Sequence, residues 1–316
     1  MNREGNITIR LKGIDWITLF FCAWMLTLIT IGWAHIQRPM THFISYLSIV
    51  TGILVLLWLT EFMREFSKPE NCPSDVCKIM RPRVFSVLFF IRSYYPVLLY
   101  LYFFESVAVT NRIFFIDWLD PFFMNIDYTL FGYLPSMEWG LRYNNIWIKE
   151  LLHFAYFCYY PMIMGLPVLF YFRKRKALDE MVFVLSFVFY GCYFIYSWLP
   201  VIGGRFTPIA MQWTRQADGG LFTAIMAYIY RHSPHLGGAF PSSHIAIALV
   251  LSLMALRYFR KVGYAFLVIT FFLTIATVYC HYHWFIDAVF GIITGLLGFW
   301  LAQTVYKRLS ENQNEN

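Results

Sequence analysis

Charged residues are scarce in this chain: Asp, Glu, Lys and Arg make up only 14 % of its 316 residues, whereas 59 % are hydrophobic. About a quarter of the residues in a soluble domain are charged. The shortage of charge therefore argues against a soluble domain. Apolar runs of about 20 residues, long enough to cross the core of a bilayer, occur several times and indicate an integral membrane protein.

Cysteine patterns that would define a disulfide framework or a zinc site are also missing. Cys72 and Cys77 flank Pro-Ser-Asp in a segment predicted to be cytoplasmic, where disulfides are disfavoured. A structural zinc ion needs more ligands than this pair offers. The other cysteines lie in or near apolar segments, where a buried thiol packs as a small apolar group: Cys22, Cys158, Cys192 and Cys280.

The apolar pattern predicts an all-α fold, a polytopic membrane helix bundle of about eight transmembrane helices. The first span is too long for the core of a signal peptide and has no small-residue cleavage site, so we expect an uncleaved anchor. Arg92 interrupts the third span and is expected to pair with a carboxylate such as Glu105 or Asp117. The predicted spans are 15–34, 43–63, 84–106, 149–172, 179–200, 242–259, 262–281 and 284–304.

The distribution of basic residues predicts that both termini are cytoplasmic. With the N-terminus inside, 17 of the 25 Lys and Arg residues fall in inner segments, including the run Arg173-Lys174-Arg175-Lys176. The net charge of +7 is then explained by topology and by contact with anionic lipids, and it gives no indication of nucleic-acid binding. The expected partners are membrane lipids, and the oligomeric state stays open.

Two long outer segments, 107–148 and 201–241, separate the predicted spans. The first is rich in aromatic residues, which favours an interfacial helix or a re-entrant turn. We predict N-terminal transmembrane helices over 1–106, a catalytic membrane domain over 107–306 and a disordered tail over 307–316.

Pro241-Ser242-Ser243-His244 has the pattern of a helix start next to a titratable side chain. Proline fits the first turn and serine caps it, while the free amides and the positive end of the helix dipole favour an anion. His244 can donate a proton to a departing alkoxide. The alternative is an ordinary helix cap beside a membrane.

His283 and Asp287 are four residues apart and share one face of a helix. An aspartate that accepts from one ring nitrogen leaves the other nitrogen as a nucleophile. The alternative is a structural pair that caps the last span. His281 cannot share that face, so we expect it to take no part in the chemistry.

Arg205, preceded by Gly203 and Gly204, would supply a two-pronged donor to phosphate oxygens, and the glycines allow a close backbone approach. A snorkelling interfacial arginine is the alternative. The predicted topology brings this residue, Ser242, His244 and His283 to the outer face. Asp117, Asp120 and Asp127 could bind a divalent ion, but their spacing matches no ligand loop.

This set of residues resembles the type 2 phosphatidic acid phosphatase (PAP2) superfamily. Its second motif, Pro-Ser-Gly-His, is similar to Pro241-Ser242-Ser243-His244, and its third resembles Ala276-Thr277 followed by His283 and Asp287, without the usual arginine. Lys78 to Arg81-Pro82 has the wrong spacing for the first motif and lies on the predicted inner side. Arg205 is the better match.

The segment Asp127…Phe131-Gly132…Pro135 and the threonine in the third motif are similar to the inositol phosphorylceramide synthase branch. This resemblance implies a lipid head-group phosphotransferase in which His283 attacks phosphorus and His244 protonates the leaving oxygen. It also implies that Arg205, Gly204, Ser242 and Ser243 bind the phosphoryl group, with no cofactor and no metal. The open alternatives are a lipid phosphate phosphatase that uses water, and a non-catalytic transporter or scaffold.

Overall fold

The computed structural model describes residues 11–66, 75–215, 219–232 and 235–315, and these ranges are helical with no strand. The predicted all-α fold is therefore confirmed. Cys72 lies outside the described residues, as do the side chains of Cys77 and of the rejected first-motif segment 78–82. The helices are α1 Gly13–Ile31, α2 Pro39–Phe66, α3 Asp75–Thr110, α4 Asp120–Phe131, α5 Pro135–Arg142, α6 Ile146–Phe157, α7 Tyr159–Arg173, α8 Leu178–Tyr196, α9 Pro208–Arg215, α10 Leu221–His232, α11 Ser243–Tyr258, α12 Arg260–Tyr279 and α13 Phe285–Glu315.

Seven helical segments in the described residues are long and apolar enough to cross a membrane. One of them, Ile146–Arg173, combines α6 and α7. The predicted sixth span is α11, which has only 16 residues and is more deeply buried than a lipid-facing helix. The expected count of eight is thus approximate: seven spans, and one shorter apolar helix inside the bundle.

The break between α6 and α7 has a local cause. Pro161 has no amide hydrogen and cannot donate to the carbonyl of Phe157, so the regular ladder is interrupted there. Cys158 joins the two helices.

The centre of the bundle is α8, which packs against α1, α3, α11 and α13. It is apolar around most of its circumference, the pattern expected of a helix surrounded by other helices. In contrast, only 17 % of α2 is buried, so this helix lies at the periphery of the chain. The four free cysteines in the described residues are all buried, as expected for packing residues.

An internal ion pair connects the N-terminal helices. Arg92 of α3 binds both carboxylate oxygens of Asp15 at the start of α1, and Tyr95 donates to the same carboxylate at 2.9 Å. The expected partners Glu105 and Asp117 were wrong, because the start of α1 lies beside the middle of α3, away from its C-terminal end. Removing one member of a buried pair costs about 3–5 kcal/mol, so this contact holds α1 and α3 in register.

Two predicted boundaries differ from the structure. The predicted boundary between the N-terminal helices and the catalytic domain, after residue 106, falls inside α3, which continues to Thr110. The segment from 307, expected to be a disordered tail, is the end of α13 and is helical to Glu315.

Candidate active site

Three loops at one end of the bundle meet at Ala239. They follow α8 (197–204), precede α11 (235–242) and connect α12 to α13 (280–284). The Ala239 amide donates to the carbonyl of Val201 at 2.9 Å, and its own carbonyl accepts from the ring of His283 at 2.9 Å. The convergence predicted from topology is observed, and backbone bonds hold it together.

Gly203 is required where the first and third loops touch. It has a φ of +81°, and a Cβ atom there would lie 2.5 Å from the carbonyl oxygen of Tyr282. Gly204 is buried, and a Cβ on it would meet the side chain of Met137 and the carbonyl of His281. The glycine pair thus allows the two loops to approach each other closely.

Asp120 and Asp127 fasten the same loops to α4. Asp120 accepts from the amides of Ile202 and Gly203 at 2.9 and 2.8 Å, and from the Trp284 indole at 2.8 Å. Asp127 is buried and accepts from the first two amides of α13 at 2.7 and 3.0 Å. Neither carboxylate is arranged as an ion ligand, and the described residues contain no group of three or more His, Cys, Asp or Glu suited to a metal.

The ring of His283 is buried and held through both nitrogens. Because Nδ1 faces the carbonyl of Ala239, it must carry the hydrogen, and Nε2 therefore holds the lone pair. The hydroxyl of Ser242 lies 3.1 Å from Nε2 and donates to it. Burial lowers the pKa of His283 to about 4, although the bond to Ala239 opposes this shift, so the ring is neutral at pH 7.

Asp287 is beside this ring but does not by itself set the tautomer. Its Oδ2 atom is 3.6 Å from Nδ1 of His283, beyond hydrogen-bond distance, and accepts from the Trp284 amide at 2.9 Å. The sequence-based assignment of tautomer control to Asp287 is therefore corrected: the backbone of Ala239 provides it. A carboxylate at 3.6 Å still favours positive charge on the imidazole.

The first turn of α11 is partly occupied by protein groups. The amide of Ser242 donates to the carbonyl of Asp287 at 3.0 Å, and that of Ser243 to the hydroxyl of Tyr196 at 3.0 Å. These two amides were expected to bind phosphate and are engaged elsewhere in this structure. The hydroxyl of Ser242 makes no capping bond and faces His283. Ser243 is buried behind it against Tyr196.

His244 and His283 face each other with ring centroids 6.0 Å apart. Tyr156 and Tyr159 lie on either side of the α6–α7 break, and their ring centroids are 4.8 and 4.5 Å from that of His244. His244 is partly exposed, while its Nδ1 atom is buried without a hydrogen-bond partner in the described chain. The two rings are thus neighbours in an edge-to-face arrangement, with their planes at 64°.

Arg205 reaches the same cluster from the loop after α8. Its guanidinium lies over the ring of Tyr230, 4.4 Å from the centroid, and Tyr230 stacks at 4.4 Å on Tyr282. The charge of Arg205 acts on His244 as well. The cation predicted from sequence therefore lies near His244, and a phosphate oxygen at this point would find a planar donor.

The tyrosines and Asp120 were not identified as site residues from sequence. Tyr156, Tyr159, Tyr230 and Tyr282 come from three segments, and aromatic residues are common throughout this chain, so no local pattern marked them. His281, expected to be uninvolved, directs Nδ1 to the carbonyl of Ser136 in α5. It ties the 280–284 loop to α5 and is not one of the two facing histidines.

Comparison with protein families gives one finding. A family model described as the PAP2 superfamily matches residues 129–301, which contain Arg205, His244, His283 and Asp287. No curated protein and no solved structure matches the chain. The match names the superfamily, so the inositol phosphorylceramide synthase branch stays a prediction.

Proposed function

Because the chain belongs to the PAP2 superfamily, whose members are typically phosphatases or phosphotransferases, we propose that it transfers a lipid phosphoryl group through a phosphohistidine. The observation that carries the proposal is the state of His283. It is neutral, its Nδ1 hydrogen is held by a backbone carbonyl, and its Nε2 lone pair points at a hydroxyl that can turn to a substrate. A nucleophile needs this combination of free lone pair and fixed orientation.

In the first step, the Nε2 lone pair of His283 forms a bond to phosphorus and the bond from phosphorus to the leaving oxygen breaks. His244 gives its proton to that oxygen. The imidazole of His283 becomes cationic, and the Ala239 carbonyl and the Asp287 carboxylate stabilise it. Arg205 and the Ser242 hydroxyl donate to the phosphoryl oxygens, where negative charge increases.

In the second step, His244 takes the proton of an acceptor hydroxyl, and the acceptor oxygen attacks phosphorus. The bond to Nε2 breaks and its electron pair returns to His283. A lipid or sugar alcohol as acceptor makes the enzyme a head-group phosphotransferase, and water makes it a phosphatase. Both outcomes use the same residues, and no step requires a metal.

The number of cationic donors favours a phosphodiester donor. Thr277 stands where the third motif usually has arginine. Its hydroxyl donates to the carbonyl of Thr274, and its own carbonyl accepts hydrogen bonds from the amides of Tyr282 and His283. Arg205 is then the principal cation for the phosphoryl group. One arginine suits a singly charged diester better than a doubly charged monoester, since each charge-assisted bond contributes about 1.5–3 kcal/mol.

We therefore expect the purified protein to turn over a phosphodiester lipid with a hydroxylated acceptor faster than phosphatidic acid. A panel of lipids, assayed with and without ceramide or diacylglycerol, measures this. Rapid release of free phosphate from phosphatidic acid, with no transfer product, would instead identify a lipid phosphate phosphatase.

Trapping the covalent intermediate tests the roles of the two histidines. With a donor labelled in its phosphoryl group, wild type and His244→Ala should both give an acid-labile phosphoenzyme, and His283→Ala should give none. Label retained in His283→Ala would reverse the assignment. Unchanged lipid turnover by folded His283→Ala would favour a non-catalytic transporter or scaffold with this fold.

The chemistry is proposed to take place at the extracytoplasmic side. The three loops that carry the site lie at the end of the bundle opposite the basic run 173–176, and basic residues favour the cytoplasmic side. Both termini would then be cytoplasmic.

A further inference from the structure

A second buried histidine lies beside the site and takes no part in the mechanism above. His235 stacks on Phe104 of α3, with ring centroids 3.9 Å apart and planes at 24°. The side chain of Asn111, directly after the end of α3, donates to the carbonyl of Leu236 at 3.0 Å. A Cβ on Gly238 would lie 3.0 Å from Nε2 of His235. The imidazole is thus packed between α3 and the loop that precedes α11.

Neither nitrogen of this ring makes a hydrogen bond of good geometry within the described ranges, although the backbone of Gly237 is close to the ring. The His235 side chain is 4 % exposed, and neither Nδ1 nor Nε2 has a partner there. A buried polar group without a partner costs about 1–3 kcal/mol, and native proteins rarely leave one in that state. The position therefore suits a polar group supplied by a ligand.

The charges around His235 restrict what that ligand group can be. The carboxylate of Glu105 lies 3.9 Å from Nδ1, and Arg205 is close enough to act on the ring. Burial and Arg205 lower the pKa of His235 to about 4, although the Gly237 backbone opposes the shift. A neutral imidazole offers one donor and one acceptor, which matches a hydroxyl, whereas a second anion would be repelled by Glu105.

We propose that His235 and Glu105 form a subsite for a neutral hydroxyl group of the substrate, next to the phosphoryl group at Arg205. This proposal rests on the proposed function, and it adds that the substrate carries a neutral hydroxyl group. Two sources share this chemistry: the acceptor alcohol, and a polyol head group on the donor.

The setting of Glu105 indicates how such a group arrives. Leu98, Leu101 and Glu105 follow one another at helical spacing on an exposed face of α3, with the carboxylate nearest the outer end. An apolar chain lying along the two leucines would bring a terminal hydroxyl to the level of Glu105. This geometry favours the acceptor lipid as the source.

The test compares KM values in lipid nanodiscs for wild type, His235→Ala, His235→Gln and Glu105→Gln. The matched control is His232→Ala, because His232 lies at the end of α10, three residues before His235, and its side chain is exposed. Diacylglycerol serves as acceptor. Phosphatidylinositol serves as the donor with head-group hydroxyls, and phosphatidylcholine as the donor without them.

If the subsite binds the acceptor, His235→Ala should raise the KM for diacylglycerol about tenfold, the effect of one lost hydrogen bond to a buried group. The KM values for both donors should change by less than about twofold, because the donors would lose no hydrogen bond. If it binds the donor head group, the KM for phosphatidylinositol alone should rise. His235→Gln keeps one donor and one acceptor and should recover most of the loss, and His232→Ala should match wild type.

A folded His235→Ala whose KM is unchanged for every substrate would overturn the subsite. An equal rise in the KM values for both donors, seen also when water is the acceptor, would do the same, since it indicates a general structural effect. Failure of the proposed function is recognised separately, because wild type would then form no phosphoenzyme with any lipid donor.

Discussion

At the scale of single residues, the main feature is that a backbone carbonyl orients the proposed nucleophile. Motif spacing identified His283 and placed Asp287 near it, because residues four apart share a helix face. It could not identify Ala239, which is 44 residues away and acts through an atom that every residue has. Side-chain patterns reveal which groups are present, whereas the partner of each nitrogen depends on how the loops meet.

The neutral state of His283 gives a prediction about pH. Since its pKa is about 4, the neutral form that attacks phosphorus persists as the pH falls and is lost only near pH 4. An unperturbed histidine with a pKa of about 6.5 would lose roughly tenfold of its neutral form between pH 7.5 and 5.5. In the His244→Ala variant, which lacks the titrating proton donor of the first step, we expect the initial rate of phosphoenzyme formation to change less than about twofold over that range.

Rapid mixing with labelled donor, followed by an alkaline quench that preserves phosphohistidine, measures this rate. His232→Ala should show the same profile as wild type. A tenfold lower rate at pH 5.5 would mean that His283 titrates like a solvent-exposed histidine.

At the scale of elements, α13 is positioned by a short helix outside the bundle. Asp127 of α4 accepts from the amides of Phe285 and Ile286, which follow His283 after Trp284. The resemblance had singled out this aspartate without assigning it a physical role. The structure provides one: it caps the helix that carries Asp287, and Gly132 then ends α4 in a left-handed conformation with a φ of +73°.

Asp127→Ala should therefore reduce both stability and activity. Two buried amides lose their acceptor, at a cost of about 1–3 kcal/mol each, and the turn that holds His283 loosens. Thermal unfolding in detergent should shift to lower temperature, and phosphoenzyme formation should slow. Asp117→Ala is the control, because Asp117 is exposed in the same segment. Equal behaviour of the two variants would contradict the capping role.

At the scale of the whole molecule, the helix order, the two long segments between spans and the convergence of three loops followed from the apolar runs and their connections. The partner of Arg92, the break at Cys158 and the tyrosines around His244 did not. Hydropathy reports which segments enter the bilayer, but neighbours within a bundle depend on shape and on polar contacts between distant helices. The site residues supplied by loops could be predicted only where a motif marked them.

The orientation of the whole chain can be tested with single cysteines. Asn144 lies in the exposed turn between α5 and α6, and Lys176 lies in the exposed connection between α7 and α8, at opposite ends of the bundle. With Cys72 and Cys77 replaced by serine, Asn144→Cys should react with an impermeant maleimide in intact cells. Lys176→Cys should react only after lysis. The reverse pattern would place the site in the cytoplasm.

The carbonyl of Ala239 also limits what mutational scanning can detect. Exchanging side chains at 239 leaves the oxygen in place, so a scan would register only crowding there and would assign all control of the imidazole to Asp287. Replacing residue 240 by its α-hydroxy acid converts the amide into an ester and weakens that oxygen as an acceptor without altering the side chain at 239. Protein semisynthesis, more than genetics, is thus the method suited to the group that holds the Nδ1 hydrogen of His283.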